Sequence, residues 1–263
     1  MNYIDTHTHI DGEEFKEDLD TVVARAKEAG ATRLFVPGIN EESIASVRGI
    51  CERYPGYCYG MIGLHPEDVK ADYAEVLDRM YQVLKSSPKG EWIAVGEVGL
   101  DYYWSREFET EQLKAFERQV EWSIETHLPL MIHCRKAQNE MVKLLRKYEN
   151  ELSGGVFHCF TGNQHEAEEL LQFSNFVLGI GGVSTFKKSH LAEDLAAVVP
   201  IERIVLETDS PYMAPVPHRG ERNEPSFVPA IIAKLAEAYN VTQEEIASVT
   251  TATAERIFLN SSC

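Results

Sequence analysis

The chain has 263 residues, 44% of them hydrophobic, with a formal net charge of −17. That is ample for one large core, but no apolar run approaches the roughly 20 residues of a membrane helix, and an acidic balance without a Lys/Arg-rich run excludes nucleic-acid binding through bulk charge, leaving only local contact through a metal and a few cations. The start Met1-Asn2-Tyr3-Ile4-Asp5 lacks a basic region and an apolar signal segment, so a cytoplasmic location is expected, and the five cysteines (51, 58, 134, 159 and 263) show no disulfide or Cys-x-x-Cys pattern, so reduced thiols are expected.

The first predicted strand, residues 2–9, contains Asp5-Thr6-His7-Thr8-His9. Residues two apart on a strand point the same way, so His7 and His9 aim two imidazoles at one point, either as a metal pair or as two histidines at a polar strand end. A helical pattern over 15–29, a strand over 33–37 and a helix over 41–54 follow. The strand over 57–63 leads into Gly63-Leu64-His65-Pro66. It puts His65 at a further strand end, either facing substrate or held as a loop histidine by the following proline. After a helix over 73–85, the strand over 91–97 ends in Glu97, and Asp101, Tyr102 and Tyr103 fall in the loop beyond it. Aromatic rings there either stack on a base or cover the rim.

A helix over 108–126 precedes the strand over 129–133, which ends in His133 with Arg135 just beyond; a helix over 137–148 precedes the strand over 155–158, which ends in His158. Cys134 and Cys159 directly follow these histidines, and alternation should turn both into the packing layer. A helix over 166–173, a strand over 176–180, a helix over 190–199 and a strand over 202–207 lead to Asp209. In the Pro-rich loop that follows, Arg219 and Arg222 offer guanidinium groups suited to phosphate, though Arg222 is expected to brace the loop. Lys187 and Lys188 read as a solvated pair, and His127, His165, His190 and His218 as surface or loop residues. Helices over 226–239 and 242–258 close the chain, the last started by a Thr242–Glu245 capping box.

Eight strands alternating with helices predict parallel βαβ units. Count and length fit a (β/α)8 TIM barrel of metal-dependent hydrolase type, with 1–263 as a single domain. An open doubly wound sheet is disfavoured, because no Gly-x-Gly-x-x-Gly turn follows the first strand. Apolar strands expel ionisable groups unless these are paired or bound to metal, and in a barrel the strand ends meet at one mouth. Four histidines (7, 9, 133 and 158) with Glu97 and Asp209 are enough for two divalent metal ions. Zn2+ takes imidazole and carboxylate, whereas Mg2+ and Mn2+ prefer more oxygen.

The blocks Asp5-Thr6-His7-Thr8-His9, Gly63-Leu64-His65-Pro66, Gly96-Glu97-Val98-Gly99-Leu100-Asp101-Tyr102-Tyr103 and His133-Cys134-Arg135 continue with His158-Cys159-Phe160-Thr161-Gly162, Glu207-Thr208-Asp209-Ser210-Pro211 and Arg219-Gly220-Glu221-Arg222-Asn223-Glu224-Pro225. Together, and in this order, they resemble the TatD family of metal-dependent deoxyribonucleases among the amidohydrolase-like barrels. The resemblance implies that His7, His9 and Asp209 bind one metal, that His133 and His158 bind a second, and that Glu97 bridges them. It also implies that His65 faces the scissile group and that Arg135 contacts phosphate, with Asp101 and Tyr102 as further candidate substrate contacts. Two metals about 4 Å apart can clamp a phosphodiester and acidify a bound water, and Asp209 is placed to take its proton. Two positions depart from the family pattern: Lys136 stands where Asp is frequent, which bears on substrate preference or rate, and Thr253 stands where Asn is frequent, which bears on packing. The expected activity is a monomeric exonuclease acting on a DNA end or single-stranded DNA. The alternatives are a small-molecule amidohydrolase, lactonase or phosphoesterase, which the acidic charge favours, and a non-catalytic metal-binding protein, which an intact ligand set argues against.

Overall fold

In a computed structural model that describes residues 1–259, and so leaves Cys263 outside the described residues, eight parallel strands pair in sequence order. They are β1 (Tyr3–Asp5), β2 (Ala31–Val36), β3 (Cys58–Ile62), β4 (Trp92–Asp101), β5 (Leu130–Arg135), β6 (Gly155–Phe157), β7 (Phe176–Ile180) and β8 (Ile204–Leu206). The ring closes where Thr6 N–H donates to Leu206 O (2.9 Å), Asp209 N–H donates to His7 O (2.9 Å), and Thr8 bridges Ser210. This is the (β/α)8 barrel expected from the sequence. Helices α1 (Leu19–Ala29), α2 (Ser43–Arg53), α3 (Tyr73–Ser86), α4 (Glu109–Thr126), α5 (Gln138–Arg146), α6 (Gln164–Leu170) and α7 (Leu191–Val198) each follow a strand; α8 (Val228–Tyr239) and α9 (Gln243–Phe258) follow β8.

Strand alternation builds two apolar layers. Leu34, Val36, Ile62, Leu130, Ile132, Phe157, Leu178 and Leu206 face the helices. Their neighbours Ile4, Phe35, Met61, Ile93, Met131, Val156, Val177 and Val205 fill the barrel, together with Ala254, Ile257 and Phe258 of α9. Helix α9 covers the end of the barrel where β2 and β8 begin: Arg33 Nη1 donates to Glu255 Oε1 (2.6 Å) and Thr253 Oγ1 to Glu202 O (3.2 Å). Thr253 is therefore a packing and bonding position remote from the opposite, open end. Thr242 Oγ1 accepts Glu245 N–H at the start of α9, and Asn163 with Glu166 forms a full capping box on α6 that the sequence reading had not singled out.

The long segment after β8 is pinned to α1. Arg222 bonds both Asp18 carboxylate oxygens (2.9 and 2.7 Å) and Arg25 Nε bonds Glu224 Oε1 (2.8 Å), so Arg222 braces the loop as expected. Bonding to Arg222 draws the Asp18 carboxyl below its ordinary range; burial raises Glu224, but bonds from Arg25 and Ser226 outweigh it and draw that carboxyl down too. A carboxyl depressed in the folded state stabilises above its unfolded pKa of about 4 and loses that contribution as pH falls through the folded value. Stability of the wild type should therefore decline as pH falls below about 4, and a double Arg25→Met, Arg222→Met variant should show a flatter decline in urea unfolding. Identical pH slopes would contradict this bracing role.

Candidate metal centre

Three strands deliver their site residues by simple alternation from the barrel interior. Met131, Val156 and Val205 point inward. Two residues further on stand His133, His158 and Glu207, and Asp209 follows Glu207 by two. Two strands do it differently. Strand β4 does not end at Glu97 but runs to Asp101, and its pairing slips between Val95 and Val98. Gly96 passes so close to β5 that a Cβ there would lie 2.4 Å from Met131 Cβ. Beyond the slip Glu97 turns inward, its N–H donating to Gly38 O (2.7 Å). Strand β1 stops at Asp5 rather than residue 9. His7 and His9 converge because Thr8 N–H donates to Phe35 O (3.1 Å) and His9 N–H to Ser210 O (2.9 Å), which hold the chain between both neighbouring strands.

The result is a cluster centred on Glu97. Its Oε2 lies 3.1 Å from His7 Nε2 and 3.6 Å from His9 Nε2. Its Oε1 lies 3.0 Å from His133 Nδ1, 3.3 Å from His65 Nε2 and 3.6 Å from His158 Nε2. Asp209 Oδ1 lies 3.8, 3.7 and 3.9 Å from the nearest nitrogens of His7, His9 and His158. Two ligands about 2.1 Å from one ion can be at most about 4.2 Å apart, and these separations satisfy that limit. Among the described residues no Lys or Arg pairs with Glu97, Asp209 or Glu207, and His7 Nδ1 is buried without a partner. Buried carboxylates balanced only by imidazoles are a donor set that fits divalent cations.

Burial alone would raise Glu97, but His65, His7, His158 and His133 outweigh it and hold the carboxyl well below the usual range. Burial likewise raises Asp209, against the opposing pull of His158 and His9. Burial and the stacked His158 ring, 3.6 Å away, keep His7 well below its ordinary value, in the neutral form a ligand requires. Burial works against charge on His133 and His158 too, yet Asp101 with Glu97 raises the first to about 9, and Glu207, Glu97 and Asp209 raise the second to about 10.

A second layer orients the rings. His133 Nε2 lies 2.8 Å from Asp101 Oδ2, and His158 Nδ1 lies 3.1 Å from Glu207 Oε1, so each ring shows its other nitrogen to Glu97. His65 Nδ1 accepts Glu67 N–H (3.2 Å), which puts its proton on Nε2, facing Glu97. Glu207 was not singled out from sequence. It accepts Cys159 N–H (2.6 Å) and fits against Gly179, where a Cβ would lie 2.2 Å from its Oε2. Its position two residues before Asp209, on an otherwise apolar strand, was the available signal. Removing an orienting carboxylate typically costs 10–100-fold in metal affinity. Glu207→Gln should show that loss in competition with a chelating dye while its circular dichroism stays unchanged; undiminished affinity would refute the orienting role.

The structure brings His7, His9, His65, Glu97, His133, His158 and Asp209 together. It places Asp101 against His133 instead of open to a substrate, and it packs the Tyr102 ring, 8% exposed, into the helix-facing layer. Arg135 is exposed at the mouth. Cys134 packs against the core as expected, but Cys159 does not follow alternation: β6 has ended, φ is +49°, and the thiol sits beside His158 and Glu207. Burial pushes that thiol far up, so it stays protonated and is no nucleophile. His127, His165 and His190 are exposed, and His218 stacks on Phe227 at 3.7 Å, all outside the cluster.

Residues 4–259 match the family model described as TatD related DNase. The chain is 37% identical over 254 residues to the uncharacterized metal-dependent hydrolase YabD of Bacillus subtilis, covering 97% of this chain and 98% of that one. It is 31% identical over 260 residues to the 3'-5' ssDNA/RNA exonuclease TatD of Pectobacterium carotovorum, with the same coverage. The crystal structure of the TatD homolog YjjV from Escherichia coli superposes with a TM-score of 0.90 at 29% identity, covering 97% of each chain.

Proposed function

The chain belongs to the TatD-related DNase family of metal-dependent hydrolases, and from that premise we propose that it is a two-metal 3'-5' exonuclease acting on single-stranded nucleic-acid ends. The carrying observation is the division of Glu97, one oxygen facing His7 and His9 and the other facing His133 and His158. That division suits a carboxylate between two ions, with His7, His9 and Asp209 holding one and His133 and His158 the other. Four nitrogens to two carboxylates favour Zn2+ over Mg2+ or Mn2+. When bound, divalent ions supply Lewis acidity at a phosphate and a water acidic enough to ionise near neutral pH. Asp209, raised by burial, is suited to take a proton from attacking water. His65, with its proton on Nε2, donates toward a developing oxyanion at the same centre. Arg135 contacts phosphate beyond it.

No helix among the described residues is long and apolar enough to cross a membrane; action as a single-domain monomer in the cytoplasm belongs to the same proposal. The net charge of −17 favours a second reading, hydrolysis of a small ester or amide on the same centre. Linear and circular single-stranded DNA of one sequence separate the possibilities. The exonuclease reading expects mononucleotides from the linear form and intact circles; rapid cutting of circles, or no cutting of either beside turnover of a small ester, would overturn it.

A further inference from the structure

We propose that Trp104, Tyr103 and Arg135 form a stacking subsite for an unpaired base one or two nucleotides from the cleaved end, an inference that rests on the nuclease reading above. Tyr103 is 50% and Trp104 64% exposed, whereas Tyr102 beside them is buried. Rings left in water at a barrel mouth lose hydrophobic stabilisation unless something covers them. They are nonetheless held in place: both backbone N–H groups donate to Asp101 Oδ1 (2.8 and 3.4 Å), while Asp101 Oδ2 holds His133. One carboxylate therefore ties the aromatic pair to the centre.

Arg135 completes the arrangement. It lies two residues after His133 on β5, hence on the same face and about 6–7 Å farther out. Its guanidinium is 3.7 Å from the Tyr103 ring centre and 5.2 Å from that of Trp104. In a chain with 42 acidic residues against 25 basic ones, this guanidinium makes no ion pair among the described residues, whereas Arg106, Arg118 and Arg146 each do. A weakly hydrated, planar cation held over an aromatic ring, and in no ion pair among the described residues, leaves its N–H groups available to a phosphate. Beside Trp104 a cleft of about 190 Å³ opens between Pro66, Lys70 and Phe108, the volume of about six waters. Stacking tolerates any base but needs its faces free. The subsite therefore selects unpaired strands and is indifferent to the sugar.

The test uses the metal-loaded enzyme and a deoxythymidine octamer. Trp104→Ala should raise KM by roughly 10- to 100-fold, the range for one lost base stack, with kcat nearly unchanged, and Trp104→Phe should recover most of the loss. On an octamer made abasic at the second and third nucleotides from the 3' end, wild type and Trp104→Ala should become equal. A second readout needs no metal. Trp92 and Trp122 are 4% and 0% exposed, so quenching of tryptophan emission by the octamer in metal-free protein reports Trp104. Quenching should vanish with the abasic octamer. An unchanged KM for Trp104→Ala, or equal losses on intact and abasic strands, would overturn the subsite while leaving the nuclease reading intact. Quenching by the octamer together with no cleavage of it by the metal-loaded enzyme would instead overturn the nuclease reading and keep the base-stacking site.

Discussion

Glu97→Gln should lower turnover on single-stranded DNA by about 10³-fold or more and should release at least one metal ion per chain. The change keeps size and shape but removes the negative charge whose two oxygens face opposite halves of the cluster. Two cations on either side of a neutral amide repel one another in a site with little water, where charge interactions are strong. Losing a Lewis acid worth several kcal/mol gives the stated loss in rate. Metal content, kcat and circular dichroism measured on one preparation decide the matter. Both ions retained with full activity would rule out a bridging role for Glu97.

The second large effect is on stability. A protein that binds ions only when folded gains about 4 kcal/mol per site at a free concentration a thousand times the dissociation constant. For a chain of this size each kcal/mol shifts Tm by about 2–4 °C. Removing both ions with a chelator should therefore abolish activity and lower Tm by on the order of 20 °C, both recovered on adding Zn2+ back. The effect has a local cause: Glu97 and Glu207 lie buried beside the partly buried Asp209, and among the described residues only imidazoles supply counter-charge. Scanning calorimetry with and without chelator measures it, and an unchanged Tm would contradict a metal centre built from these residues.

The barrel and most of the cluster were legible because alternation is a local rule. On β5, β6 and β8 the apolar interior residue, the polar one two places on and the strand end can be read from spacing alone. Elsewhere the physics was not local. Strand β4 continues past Glu97 because its slip at Gly96 depends on contact with Met131, a residue far off in sequence. That continuation makes Asp101 a strand residue bonded to His133 instead of a loop residue open to substrate. His7 and His9 meet through bonds to β2 and to Ser210 beyond β8, so the expected convergence arises by a different route from regular alternation. Cys159 escaped the rule because a positive φ ends the pattern. Glu207 was passed over because Asp209 already filled the role of strand-end ligand, although the same parity places both inward. Sequence does not distinguish Trp104 from its aromatic neighbours; its exposure in the fold separates it from the buried Tyr102.

The measurement that tests the central claim most directly is release of nucleotides from 3'-labelled linear single-stranded DNA by protein first stripped of metal and then titrated with Zn2+. Activity should be absent from the stripped protein and should rise to a plateau at two equivalents per chain, with product appearing as mononucleotides from the first turnover. Cleavage by the stripped protein, or a fully loaded centre that leaves the strand intact, would contradict it.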